Sequence, residues 1–118
     1  MVGILLATST LGSFPVDEVT QYRLFAVHIA ERYALNIDLF LDVVSCESGW
    51  NKNAVGDKDT SHGLLQFHLP EKDWGFSTEQ AYDPYFSIAQ AGLAWSKGQE
   101  SRWSCYKLLT KSIYGKET

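Results

Sequence analysis

The segment DLFLDVVSCESGW, residues 38–50, constrains the fold more than any other part of the chain. If these residues form a helix, apolar side chains lie on almost every side of it, so other parts of the chain must surround it. Gly49 is a suitable residue to end that helix. We therefore predict a central helix with little exposed surface, which begins near Asp38 and ends at Gly49.

Three further helices are predicted from apolar residues that recur every three to four positions and from residues that favour helix ends. Asp17 is a suitable N-cap for the first helix, and Pro15 prevents an earlier start. Asp83 followed by Pro84 is a favourable start for the next, and Ser101 is the expected cap of the last. The predicted spans are Asp17–Tyr33, Asp83–Gly98 and Arg102–Lys111.

Residues 51–73 form the longest stretch without a helical pattern, and we expect a loop there, with short strands or one helical turn near residues 63–67. No segment shows the alternation of apolar and polar residues that is typical of longer strands. At 118 residues the chain has the length of one domain. We therefore predict a mainly α or α+β single domain, residues 17–114, with four or five helices and one long loop.

The charge of the chain bears on its partners. The formal net charge is −4, and residues of both signs are spread along the sequence. A nucleic-acid-binding protein normally carries a basic patch, so this class is not expected. An uncharged or mixed-charge polymer is a suitable partner.

Residues 1–16 are predicted to be an N-terminal leader or the remnant of one. An apolar run follows Met1 directly, without the Lys or Arg that a secretory signal normally carries. The run is also shorter than the about 20 residues that a membrane span requires, so no integral span is expected. This segment favours an exported protein.

The two cysteines, Cys46 and Cys105, lie far apart in the sequence. In an oxidising compartment they would close a loop of roughly 60 residues, which stabilises a fold by about 4 kcal/mol in the chain-entropy model. In a reducing compartment they would be two small buried apolar residues. We favour the disulfide, because Cys105 lies in the Trp-rich end of the chain, which a single core must contact.

Glu47 is the first candidate for a catalytic residue. A carboxyl group packed against apolar side chains is costly to ionise, so its pKa rises and it keeps its proton near neutral pH. A general acid that cleaves a glycosidic bond needs this property, because the leaving oxygen must receive a proton. A lone Glu at a helix end is more often simply exposed. A negative charge at a helix C-terminus is unfavourable, however, which suggests a role other than stability.

Glu47 belongs to the first of two neighbouring sequence motifs. ESGWNKNAV, followed by TSHGLLQF, resembles the signature of lytic transglycosylases and goose-type lysozymes, which cleave the glycan strands of bacterial peptidoglycan. The later segments DPYFSIAQAGLAW and RWSCY are also similar to parts of this family. The resemblance extends over residues 20–110. The motif positions are filled by Glu47, Ser48, Trp50, Asn51, Ala54, Ser61, Gly63, Leu64 and Gln66.

The resemblance implies a lysozyme-like fold and a mechanism that needs no cofactor. Glu47 would protonate the oxygen between N-acetylmuramic acid and N-acetylglucosamine, and would then act as a base while the C6 hydroxyl attacks C1, which leaves a 1,6-anhydro end. The expected partner is peptidoglycan, and a monomer is expected. Ser61 and Gln66 would hold hydroxyl or acetamido groups. The full set of predicted substrate-binding residues is Ser61, Gly63, Gln66, Trp50, Asn51 and Tyr106, the last in place of a family tyrosine that is missing here.

Two alternatives remain open at this stage. A hydrolase would need a second carboxylate about 6.5 to 9.5 Å from the acid to activate water, and Asp57 and Asp59 are the candidates, although both also suit a tight turn. A non-catalytic glycan-binding module is the other alternative. No metal site is predicted, because the spacing of the histidines fits no familiar ligand pattern; these are His28, His62 and His68.

Overall fold

The computed structural model describes residues 16–69 and 74–114, without the side chains of residues 112–114. Five α-helices, three two-residue strands and a 3-10 turn lie within these residues. The mainly α, α+β fold class predicted from the sequence is confirmed. In chain order the elements are α1 (Glu18–Arg32), α2 (Ile37–Ser48), β1 (Val55–Gly56), β2 (Ser61–His62), β3 (Phe67–His68), α3 (Thr78–Ala81), α4 (Pro84–Ser96), the 3-10 turn (Glu100–Arg102) and α5 (Ser104–Tyr114).

Helices α1 and α2 begin at capping side chains. The Asp17 carboxylate accepts the Thr20 N–H at 2.8 Å, as predicted for an N-cap. The Asn36 side chain accepts the Leu39 N–H at 3.0 Å, so α2 begins at Ile37, one residue before the predicted start. The predicted end of α2 is confirmed, because Gly49 is left-handed with φ of 60°. Pro15, which was predicted to block an earlier start of α1, lies outside the described residues.

Helix α4 begins as predicted, whereas the start of α5 was wrong. The Asp83 carboxylate accepts the backbone N–H groups of two residues in the first turn of α4. Residues 100–102 form a 3-10 turn, so Ser101 lies inside this turn and does not cap α5. Trp103 follows in an extended conformation, with its indole N–H donated to the Leu65 carbonyl at 2.8 Å. This distant contact separates the turn from α5.

The loop region contains a small antiparallel sheet in the order β1-β2-β3. Val55 pairs with His62 in the first ladder, and His62 pairs with Phe67 in the second. A short helix, α3, follows with a capping box made by Ser77 and Gln80. Short strands or one helical turn were expected near residues 63–67; residues 63–66 form a turn, and β2 and β3 lie on either side of it, whereas β1 lies earlier in the chain. Helix α3 was not predicted.

The core lies between α1, α2 and α4 and extends under the sheet. Phe40 and Val43 of α2 are fully buried, as are Leu64 and Leu65 of the β2–β3 turn. The prediction that α2 has little exposed surface was wrong in one respect. One side of α2 faces solvent and carries its polar residues, namely Asp38, Asp42 and Ser45. The helix is therefore central in packing, but it is not enclosed.

The predicted disulfide is confirmed: Cys46 near the end of α2 is bonded to Cys105 in the first turn of α5, 59 residues away. Closing a loop of this length stabilises the fold by about 4 kcal/mol in the chain-entropy model. No helix among the described residues is long and apolar enough to cross a membrane. The disulfide fixes the last helix against the end of the central one, which is where Glu47 lies.

Candidate active site

A cleft of about 380 Å³ lies where the end of α2, the small sheet and the start of α5 meet. The walls combine two carboxylates, polar side chains and several aromatic rings. Neutral hydrogen-bonding groups next to aromatic faces suit a ligand with both polar and apolar surfaces. The lining residues are Glu47, Asp57, Ser61, Gln66, Phe67, His68, Trp74, Arg102, Trp103 and Ser104.

Glu47 lies in the last turn of α2 and reaches the start of α5. Its carboxylate Oε2 accepts the backbone N–H of Cys105 at 3.1 Å. The C-terminal end of its own helix disfavours a negative charge, whereas the N-terminal end of α5 favours one. Glu47 therefore lies between two opposing helix ends, and the donated N–H fixes the direction of its carboxyl group.

The surroundings of Glu47 raise its pKa above the ordinary value for a glutamate. Burial is the main cause, because it penalises the charged form. The N–H of Cys105 acts in the opposite direction, and the negative charge of Asp57 raises the pKa again. The net direction is upward, so Glu47 keeps its proton to a higher pH than a free glutamate does. This is the property that a general acid requires.

Asp57 lies in the β1–β2 turn and faces the same cleft. Three successive residues of this turn, Asp57, Lys58 and Asp59, have left-handed φ angles of 51°, 57° and 72°. Such angles are uncommon for residues other than glycine, although Asp tolerates them. The Asp57 carboxylate accepts the hydroxyl of Ser61, and its carbonyl accepts the hydroxyl of Thr60 at 2.7 Å. Asp57 thus belongs to a turn and also lines the cleft, whereas Asp59 does not line it.

Two of the predicted substrate-binding residues, Ser61 and Gln66, lie in the cleft wall. Ser61 is only 2% exposed, and its hydroxyl proton is donated to Asp57. The amide nitrogen of Gln66 donates to the carbonyls of Ala54 at 3.0 Å and Gly63 at 2.9 Å. Both side chains therefore hold the loop in shape, and their predicted contact with substrate stays a prediction.

Trp50 and Asn51 were predicted to contact substrate, but neither lines the cleft. Trp50 is 5% exposed and packs in the core, with the guanidinium of Arg23 over its ring at 5.2 Å. The Asn51 side chain accepts the backbone N–H of Asn53 at 2.9 Å, which holds a turn. An aromatic ring that follows a helix C-terminus can pack either in the core or in a groove, and the ring of Trp50 packs in the core.

Gly63 and Tyr106 likewise lie away from the cleft. Gly63 is buried against α3, where a side chain would meet the Ala81 carbonyl. Tyr106 packs edge-on against Trp95, with ring centroids 5.3 Å apart, on the core side of α5. Gly63 and Tyr106 therefore have structural roles. The close approach of the Ala81 carbonyl explains why the motif has a glycine at position 63.

The sequence did not identify all of the residues that line the cleft. Arg102, whose guanidinium lies 3.8 Å from the centroid of the Trp74 ring, was not predicted to line the cleft. Phe67 packs edge-on against Trp74 and Trp103, so the wall is a continuous aromatic cluster. One feature of the sequence could have indicated that residues near the start of α5 line the cleft. Cys46 is adjacent to Glu47, so a disulfide to Cys105 brings the start of α5 close to Glu47.

The three histidines do not converge. His62 is 8% exposed, and its Nδ1 lies 2.8 Å from the Tyr82 hydroxyl. His28 lies on α1 beside Phe25. Among residues 16–69 and 74–114 no group of three or more His, Cys, Asp or Glu side chains is placed to hold a metal ion.

Comparison of the chain with protein families, with curated proteins and with solved structures finds no match. The resemblance to lytic transglycosylases therefore depends on the motifs around Glu47. The geometry of the cleft is an independent observation on the same residues. Together they are the basis of the function proposed below.

The raised pKa of Glu47 has a consequence for stability. Because the native state holds this proton more tightly than the unfolded chain does, the contribution of Glu47 to stability is fully present below the ordinary glutamate pKa and is lost as pH rises through the raised pKa. We expect Glu47→Gln, which still accepts the Cys105 N–H, to raise the midpoint of thermal unfolding by a few degrees at pH 8 and to have no effect at pH 3. Thermal unfolding followed by circular dichroism at both pH values measures this. A variant less stable than the wild type at pH 8 would contradict it.

Proposed function

We propose that this chain is a peptidoglycan lytic transglycosylase that uses Glu47 as its only acid and base. The observation that carries the proposal is the position of this carboxyl group. It is half-buried at a cleft, its pKa is raised by burial, and its direction is fixed by the N–H of Cys105. The motif around it, ESGWNKNAV with TSHGLLQF, supports the same reaction.

The proposed reaction has two proton transfers through one carboxyl group. Protonated Glu47 donates its proton to the glycosidic oxygen as the bond from that oxygen to C1 of N-acetylmuramic acid breaks. The C6 hydroxyl of the same sugar then attacks C1, and its proton passes to the Glu47 carboxylate. The products are a free 4-hydroxyl on N-acetylglucosamine and a 1,6-anhydro sugar, and Glu47 ends protonated, ready for another cycle.

The walls of the cleft suit the neutral face of a glycan strand. Sugar rings present apolar C–H faces to aromatic side chains and hydroxyl groups to polar ones. Trp74 lines the cleft together with the polar side chains of Ser61 and Gln66. The disulfide is compatible with an exported protein. In this proposal the protein acts on the cell wall as a monomer.

Hydrolysis is the second candidate reaction, and one observation favours it. Asp57 lies in the same cleft as Glu47, so its carboxylate is a candidate to activate a water molecule. Mass spectrometry of the sugars released from purified peptidoglycan separates the reactions, because a 1,6-anhydro end lacks one water relative to a hydrolysed end. We expect anhydro ends. Hydrolysed ends would favour a lysozyme-type enzyme, and no released sugars would favour a glycan-binding module.

Asp57→Asn provides a separate test of the two reactions. Asn tolerates the left-handed angle at this position, so the turn is expected to persist. If Asp57 only orients Ser61 and raises the pKa of Glu47, the rate of sugar release falls by about tenfold or less, whereas loss of a general base costs about 10² to 10⁴-fold. We expect the smaller effect, measured as initial rates on soluble glycan strands.

Asp59→Asn is the matched control for Asp57→Asn. It alters the same turn, also at a left-handed residue, but Asp59 does not line the cleft. We expect wild-type rates from it. A loss of more than about 100-fold in Asp57→Asn, with an unaffected Asp59→Asn, would contradict the single-carboxylate mechanism.

A further inference from the structure

The disulfide and the acid are directly connected in this chain. Cys46 immediately precedes Glu47, and its bonded partner Cys105 donates its own backbone N–H to the Glu47 carboxylate at 3.1 Å. The side chain of Cys105 is therefore bonded to Cys46, and its backbone N–H is bonded to the side chain of the next residue, Glu47. A disulfide that served only stability could join α2 and α5 at any other pair of facing positions.

Other contacts near the start of α5 fix a different residue. Trp103 is 4% exposed, and its indole N–H is bonded to the Leu65 carbonyl at 2.8 Å. That contact places the residue before α5, but it does not place the Cys105 amide. Cys46 is exposed, whereas Cys105 is 8% exposed. Cys46 is therefore the residue of the bonded pair that is more open to a reagent in solution.

We propose that the Cys46–Cys105 disulfide is a positioning device for Glu47, and that its reduction by a dithiol lowers the rate of glycan cleavage while the fold persists. This inference rests on the function proposed above and adds a means of regulating it. The enzyme would be active in an oxidising compartment and poorly active in a reducing one.

The chemistry of the switch is a thiol–disulfide exchange. A thiolate of the dithiol attacks the Cys46 sulfur, and the bond to the Cys105 sulfur breaks. The second thiolate of the reagent then displaces the Cys46 sulfur and closes a disulfide in the reagent. Two electrons pass from the reagent to the protein, and Cys46 and Cys105 both become thiols as each sulfur takes up a proton.

Reduction has two expected effects on Glu47. Two thiols no longer hold the first turn of α5 against the end of α2, so the carboxyl group loses its fixed donor. The N–H of Cys105 opposes the rise in the pKa of Glu47, so its loss raises that pKa further. In the oxidised protein Asp57 also raises the pKa of Glu47, and the other charged or titratable groups in the cleft wall are His68 and Arg102.

The test compares oxidised wild-type protein with the same protein reduced by dithiothreitol, at a temperature where near-ultraviolet circular dichroism shows both to be folded. We expect kcat on soluble glycan strands to fall about 10- to 100-fold, the loss typical of a misplaced catalytic group, with KM changed by less than about twofold. The alkaline limb of the kcat profile moves to higher pH. The control is Cys46→Ala combined with Cys105→Ala, on which dithiothreitol has no effect.

Three results would overturn the proposal. These are an unchanged kcat, an unchanged alkaline limb, and a reduced protein that has lost its near-ultraviolet signal at every temperature tested. The last would make the bond purely structural.

A carbon-13 titration of the Glu47 carboxyl group separates this proposal from the proposed function, because it needs no glycan. A higher midpoint after reduction supports the coupling even if the wild-type protein releases no sugar, which would reject only the transglycosylase assignment. Sugar release with the same midpoint in both redox states would reject only the coupling.

Discussion

Glu47→Gln is expected to lower the rate of sugar release from peptidoglycan by about 10² to 10⁴-fold, the range for loss of a general acid. Gln has nearly the same shape and its carbonyl oxygen still accepts the Cys105 N–H, but it has no proton to donate to the glycosidic oxygen. In the wild type the rate falls as pH rises through the raised pKa of Glu47, because only the protonated form starts the reaction. Initial rates measured across a range of pH test both statements.

Two controls accompany this variant. Binding of Glu47→Gln to insoluble peptidoglycan is expected to remain at the wild-type level, since the walls of the cleft are unchanged. Glu31→Gln, an exposed change on α1, is expected to leave the rate unchanged. Release by Glu47→Gln at a rate within about threefold of the wild type would remove Glu47 as the general acid.

Gly63→Ala is expected to lower the free energy of unfolding by roughly 2 to 4 kcal/mol, the combined cost of a left-handed residue and of overpacking. Gly63 has φ of +82°, and an added Cβ would lie 2.1 Å from the Ala81 carbonyl oxygen. The contact partner is backbone of α3, which cannot rotate away as a side chain can. Chemical denaturation followed by tryptophan fluorescence measures the change.

Gly98→Ala is the matched control for Gly63→Ala. Its φ of +77° is nearly the same, but nothing lies within 4 Å of the added Cβ. Only the conformational cost remains, about 1 kcal/mol. Equal effects of the two substitutions would show that α3 does not pack against Gly63 as described.

Much of the helical framework could be predicted because its signals are local. Asp17 and Asp83 bond to N–H groups two or three residues further along the chain, so a short window of sequence contains the whole interaction. The same holds for Gly49, which ends α2 by its own left-handed conformation. Asn36 was overlooked as a cap, which placed the start of α2 one residue late.

The start of α5 could not be predicted, because a distant contact determines it. The bond from Trp103 to the Leu65 carbonyl spans 38 positions of sequence and holds the backbone extended where a helix pattern would continue. Helix α3, with four residues, is too short to give a periodic signal.

The candidate site was predicted in part. The structure places Glu47, Asp57, Ser61 and Gln66 in one cleft, because the two-residue strands fold the loop back over the end of α2. The motif did not distinguish residues that line the cleft from residues that support it. Trp50 is the clearest case, since its ring turns into the core beneath Arg23.

The most direct test of the central claim is a carbon-13 titration of the Glu47 carboxyl group in the oxidised protein, assigned by comparison with Glu47→Gln. We predict a midpoint above the ordinary glutamate value, which moves downward in Asp57→Asn because a negative charge that raises the pKa is removed. A midpoint at or below that of a free glutamate would contradict this prediction, since such a group would hold no proton to give to a glycan at neutral pH.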